Sequence, residues 1–236
     1  MNLYTGTSGF SYKEWKGTFY PEDLSEKEML SYYAGQLKAV EINNSFYRMP
    51  KENVLKSWVD QVNDDFKFSI KASRKITHFK RLKDTAEECE FLFKNVKILQ
   101  EHLCCILFQL PPNLKQDIDL FKSFLKQIPE NISAAFEFRH PSWMDEETFD
   151  LLKNKNCSLV ITETDEEPQA DFTKTADWVY LRLRRTHYTE AELKERMEKI
   201  KNSSWDNVYV FFKHEDEGTG PALAKKFIEL YQLSEQ

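Results

Sequence analysis

The sequence predicts an α/β fold, a TIM-type (β/α)8 barrel, on three observations. Eight short apolar or β-branched runs punctuate the chain, segments with helical spacing separate most of them, and the glycine fingerprint of an open nucleotide-binding sheet is missing. Parallel strands joined by right-handed crossovers require such an alternation, and eight strands close a barrel.

The strand-like runs fall at residues 3–6, 39–42, 66–72, 103–110, 134–138, 158–162, 178–183 and 208–212. Between them, helical spacing marks 25–37, 51–62, 84–100, 116–128, 146–154, 189–201 and 218–233. Ser25 with Glu28 and Thr189 with Glu192 have the spacing of capping boxes at two of these starts. The sixth connection is the exception: Asp165-Glu166-Glu167-Pro168 leads into 171–175, where at most a short, degenerate helix fits. The turn Gly6-Thr7-Ser8-Gly9 carries neither a Rossmann pattern nor a P-loop ending.

At 236 residues the chain fits one barrel, a single unit over 1–236. With 18 Phe, 10 Tyr and 5 Trp it can fill a core. A net charge of −6 speaks against a generally basic nucleic-acid binder. Cys89, Cys104, Cys105 and Cys157 show no metal spacing and are expected as reduced core residues, the adjacent pair alternating faces of one strand. No leader-like start or membrane-length apolar run occurs, so a cytosolic location is expected.

Strand side chains alternate between faces, which assigns the polar residues. Val40 and Ile42 face the helices and place Glu41 and Asn43 inside; Phe68 and Ile70 leave Ser69 and Lys71 inside. Phe136 and Phe138 oppose Glu137 and Arg139, Leu181 and Leu183 oppose Arg182 and Arg184, and Lys213 ends the last inward row. Charge therefore gathers at the strands' C-terminal ends, where barrels carry their sites. Buried charges need partners, so Glu41, Glu137 and Glu163 are expected to pair with Lys71, Arg139, Arg182 and Lys213 or to bind something from outside. A purely structural charge network is the bland alternative.

Four stretches, Gly6-Thr7-Ser8-Gly9-Phe10-Ser11-Tyr12, Val40-Glu41-Ile42-Asn43-Asn44-Ser45-Phe46-Tyr47, Gln109-Leu110-Pro111-Pro112 and Glu137-Phe138-Arg139-His140-Pro141-Ser142-Trp143, resemble the YecE-like family, domain of unknown function 72. Phe19-Tyr20-Pro21, Lys71-Ala72, Thr77-His78 and Tyr180-Leu181-Arg182-Leu183 follow in order. The resemblance implies a TIM-type barrel and no particular reaction. Two stretches depart from the family pattern, Arg184-Arg185 after the seventh strand and Lys213-His214 after the eighth, and both add positive charge.

The leading expectation is an enzyme for an anionic, phosphate- or carboxylate-bearing small molecule at the barrel mouth. Arg139 and Arg182 would clamp the anion and Lys71 orient it. Glu41 or Glu137 would handle a proton, with His78 as acid/base reserve. Asn43, Tyr47, Trp143 and Lys213 complete the binding set, the aromatics competing with a reading as loop packing. No cofactor is indicated. Metal could be held by Glu41, Glu137, Glu163, His78, His140 or His214, although no short-spaced motif marks a site. The alternatives are a metal-dependent hydrolase and a module binding nucleic acid or another macromolecule. Titration of the denatured, non-reduced protein should count four free thiols; fewer would overturn the reduced-core reading.

Overall fold

The computed structural model describes residues 1–213 and 218–234. Strands β1 (Asn2–Ser8), β2 (Ala39–Ile42), β3 (Lys67–Lys71), β4 (Leu103–Gln109), β5 (Ala134–Glu137), β6 (Ser158–Glu163), β7 (Trp178–Leu183) and β8 (Asn207–Phe212) run parallel in sequence order, and β8 pairs with β1 to close the barrel. Around it lie α1 (Met29–Ala34), α2 (Glu52–Val59), α3 (Ala86–Val96), α4 (Ile118–Leu125), α5 (Glu146–Asn154), α6 (Glu190–Asn202) and α7 (Thr219–Leu233). Residues 164–177, between β6 and β7, carry no helix.

The period of two sorts the strand residues into two apolar layers. Val40, Ile42, Phe68, Ile70, Phe136 and Leu181 pack outward against the helices. Ala39, Leu107, Ala135, Val160, Tyr180 and Phe211 fill the interior. Aromatic pairs plug the barrel below its mouth: Tyr4 stacks on Tyr209 at 5.1 Å and Tyr180 tilts against Phe211 at 4.9 Å. With that volume filled, the polar ends of the inward rows collect above it. Gly6 lets β1 approach β2, since a Cβ there would stand 1.7 Å from the carbonyl oxygen of Ala39.

Several elements are shorter than their spacing suggests. At α1, residues 25–28 form a turn in which Ser25 donates to the Glu28 carboxylate, and the helix begins only at Met29. A 3-10 stretch with Gln100 at φ 50° ends the α3 region. At α6 the Thr189–Glu192 capping box forms as expected.

Two expectations need correction. The β3–β4 register shifts between Phe68 and Ser69, so Cys104 is the extra residue of a bulge. Cys104 and Cys105 therefore do not alternate faces; both join the interior cluster with sulfurs 3.7 Å apart, and all four cysteines are free. Glu163 does not join the inward cations. It shares the outward phase of Leu159 and Ile161 and meets Arg196 of α6, whose Nε donates at 3.0 and 3.3 Å. The same guanidinium donates to the carbonyl of Pro168 at 3.1 Å, tying the helix-free connection to α6.

This pair is buried, with side-chain exposures of 5% and 1%. Arg196→Met should lower stability by about 3–5 kcal/mol, because it strands a buried carboxylate. Adding Glu163→Leu should recover most of the loss. Denaturant midpoints measure both variants, and an unchanged midpoint for the single variant would show the pair to be dispensable.

Candidate functional site

Above the aromatic plug one hydrogen-bonded network links six strands, β1 to β5 and β7. Arg182, 1% exposed, donates from Nη2 to Glu41 at 2.9 Å and from Nη1 to Glu137. Glu41 Oε1 also accepts from Ser8 at 2.7 Å and Asn43 at 2.7 Å, while Oε2 accepts from Tyr180 at 2.7 Å. Ser69 in turn donates to the Tyr180 hydroxyl at 2.8 Å. Glu137 Oε1 takes Gln109 Nε2 at 2.7 Å and Arg139 Nε at 3.1 Å. Lys71 donates to Gln109 Oε1 at 2.8 Å. Glu41, Lys71, Glu137, Arg139 and Arg182 thus meet in one network, as their inward phase implies.

The two carboxylates differ in capacity. Four donors surround Glu41, three on Oε1 and one on Oε2. Burial pushes its carboxyl up, but the Arg182 charge and the hydrogen bonds of Arg182, Asn43 and Ser8 outweigh this and hold it at about 2. Glu137 accepts three bonds and lines a cavity of about 770 Å³, so it retains acceptor capacity toward a ligand. Burial opposes its ionisation as well, and Arg182 and Arg139 overcome it. Both acids are therefore held ionised, as orienting or proton-accepting groups rather than proton donors.

Arg182, expected as an anion clamp, is buried and does not line the cavity, and its terminal nitrogens are engaged by Glu41 and Glu137. Arg184, two residues on in the same inward row, lines the cavity with Arg139, His140 and Lys213. Arg184 is half-buried and no carboxylate pairs with it among the described residues. Burial, then the charge of Arg182, lowers its pKa. Arg182 Nε, Asn43 Oδ1 and Thr162 Oγ1 find no protein partner among the described residues.

Lys71 does not line this cavity. Its ammonium lies 4.5 Å from the Phe46 ring centroid, and His78 meets the same ring edge-on at 4.9 Å. Burial first, then Arg182 and Arg139 against Glu41 and Glu137, pulls Lys71 down to about 8. Burial, then Lys71, Arg139 and Arg81, lowers the pKa of His78, which is bonded to Thr77 at 2.9 Å. Tyr47 lies outside the network, 68% exposed and stacked by Arg74 at 5.2 Å. Trp143 is packing: 1% exposed, it stacks on Phe138 and donates to the carbonyl of Leu114. His140 accepts from the backbone of Ser142 and caps a short turn. His214 lies outside the described residues. Among the described residues no three His, Cys, Asp or Glu side chains gather as a metal-binding group.

A family model described as protein of unknown function DUF72 matches residues 4–236. The chain belongs to this family. A DUF72 protein from Thermotoga maritima is 28% identical and superimposes with a TM-score of 0.86 over 98% of this chain and all of its own. Another, from Enterococcus faecalis, is 18% identical with a TM-score of 0.79 over 99% of this chain and 96% of its own. The YecE protein of Escherichia coli K12 is 27% identical over 115 residues, 48% of this chain and 42% of YecE, so the aligned stretch spans less than half of that relative. Against the DUF72 pattern, Arg184-Arg185 divides its charge: Arg184 lines the cavity, whereas Arg185 bonds Glu192 of α6 at 2.6 Å.

The inward phase extends to two residues beyond the expected set. Gln109 and Tyr180 share the inward rows of Leu107 and Arg182, and both are network members. Arg182→Met should cost about 3–5 kcal/mol at pH 7, since it leaves two buried carboxylates without their counter-ion. In the wild type, Glu41's depressed pKa gives stability present above its ordinary 4.5 and lost as pH falls toward 2. In the variant, burial raises both acids, so acidification from pH 7 toward 5 should narrow the gap to wild type. Urea denaturation across this range checks it; a constant gap would mean that the carboxylates do not depend on Arg182.

Proposed function

We propose that the protein is an enzyme that takes an anionic small molecule, bearing phosphate or carboxylate, at the C-terminal mouth of the barrel. One observation carries this reading: Arg184 presents a half-buried guanidinium without a carboxylate partner to a cavity that Arg139 also lines. Among the inward strand-end residues, the two carboxylates Glu41 and Glu137 stand against Lys71, Arg139, Arg182 and Arg184, while Asp165, Glu166, Glu167 and Asp171 of the β6–β7 connection also line the cavity. An anion relieves that imbalance locally, in a protein whose overall charge of −6 repels it. Arg139 and Arg184 make the charge-assisted contacts, and Glu137 accepts a hydrogen bond or proton from the ligand. Arg182 and Glu41 act from beneath, fixing Glu137 in place.

One feature favours a second reading, a macromolecule at the rim. Arg74 lies between the exposed rings of Tyr47 and Phe79, at 5.2 and 5.1 Å. Such stacks also receive nucleobases, with steep salt dependence. The helices' mixed charge provides no continuous basic stripe beyond this rim.

Calorimetry with phosphate, sulfate, dicarboxylates and phosphorylated sugars tests the anion reading. Arg139→Ala and Arg184→Ala should each weaken binding by about 1.5–3 kcal/mol with the melting temperature little changed. Arg74→Ala should leave it intact. Equal affinities in wild type and both cavity variants would refute the assignment; loss only in Arg74→Ala would favour the rim.

A further inference from the structure

We propose that Lys71 is a nucleophilic amine that forms an imine with a carbonyl carbon of the bound molecule, making the substrate an oxo acid or a phosphorylated aldehyde or ketone. The inference rests on the anion reading for its substrate class and on the surroundings of Lys71 for its chemistry.

Lys71 ends the inward row of β3, and every element packed against it contributes to its state. From β4, Gln109 Oε1 holds its Nζ at 2.8 Å, a neutral acceptor where an ion pair would need a carboxylate. The ring of Phe46 lies below the amine at 4.5 Å. The residues facing it from β7 and β5 include the cations Arg182 and Arg139, and His78 follows on its own side. Glu41 and Glu137 oppose these charges, but both are already claimed by Arg182, and neither forms an ion pair with Lys71 among the described residues. An ammonium so placed is less stable than in water, and its proton leaves near neutral pH, at about 8. A lysine beside other cations and partly removed from water is the usual setting of an amine nucleophile. Ser45 fixes its backbone by donating to the Lys71 carbonyl at 2.7 Å.

The step balances without an added reagent. The ammonium first releases one proton, and the free amine attacks the carbonyl carbon, forming a C–N bond as the C=O π bond opens onto oxygen. After proton transfer from nitrogen to oxygen, the carbinolamine takes back the released proton on its oxygen and expels water, leaving a protonated imine. Ammonium plus carbonyl thus gives iminium plus water. Glu137, ionised and reachable from Lys71 through Gln109, lies on the ligand side to accept a proton from the carbon next to the imine.

Reductive methylation with formaldehyde and cyanoborohydride at pH 7, read peptide by peptide, tests the amine without requiring recognition. Lys71 should be modified roughly tenfold faster than exposed Lys115 and Lys126, despite its lower exposure. A rate no greater than theirs overturns the proposal, whatever anions bind. A second arm compares pyridoxal 5′-phosphate with pyridoxal, followed by borohydride reduction. The phosphorylated aldehyde should label Lys71 preferentially, and Arg184→Ala should abolish the preference. Fast methylation without phosphate preference would keep the amine and remove the anion site as its substrate-binding partner. Lys71→Arg, checked for folding by circular dichroism, should take no adduct at position 71.

Discussion

The constraint on which this barrel depends is a single guanidinium shared by two buried carboxylates. Glu41 comes from β2, Glu137 from β5 and Arg182 from β7, so the triad crosses the barrel rather than joining neighbours. Charges at this depth persist only when their remaining donors and acceptors are satisfied, and Ser8, Asn43, Tyr180 and Gln109 do most of that work. Because the acids' positions are set by the arginine, so is the direction of everything attached to them. Arg139 leans on Glu137, and Lys71 reaches it through Gln109.

A division between support and contact follows. Glu41 and Arg182 are both sealed from solvent, and neither can meet a ligand without opening the floor. Glu137, Arg139 and Arg184 form the upper layer, while Lys71 and His78 occupy the opposite side of the mouth around Phe46. Burial, and then the positive charge of Arg182, lowers the pKa of Lys71, so it is not a permanent cation. The same electrostatics that depress the lysine stabilise an incoming anion.

Much of this was legible because a strand's period is two. Once Val40, Phe68, Phe136 and Leu181 are turned toward helices, Glu41, Ser69, Glu137 and Arg182 have to face inward, and they do. Glu163 shows the rule misapplied, since counting from Leu159 and Ile161 places it outside with Arg196. The Cys104 bulge broke the rule itself: an unpaired residue resets the phase, and nothing in Leu103-Cys104-Cys105-Ile106 announces it. Arg182 illustrates a different limit. Its direction follows from alternation, but its role depends on which neighbours consume its hydrogen bonds, a property of three distant strands. Trp143 and Tyr47 likewise lie in loops whose packing no local pattern encodes.

The order in which the triad is strung along the chain bears on how the molecule assembles. Both acids precede the arginine, and the strand that carries it is next to last. An incomplete sheet of β1 to β6 would have to draw Glu41 and Glu137 out of water with no counter-ion between them, which disfavours a closed-up intermediate. The segment leading into β7 has no helix to nucleate its docking and is tethered instead by Arg196, which belongs to the still later α6. Closure is therefore expected to be a late, cooperative event in which the last quarter of the chain locks the first.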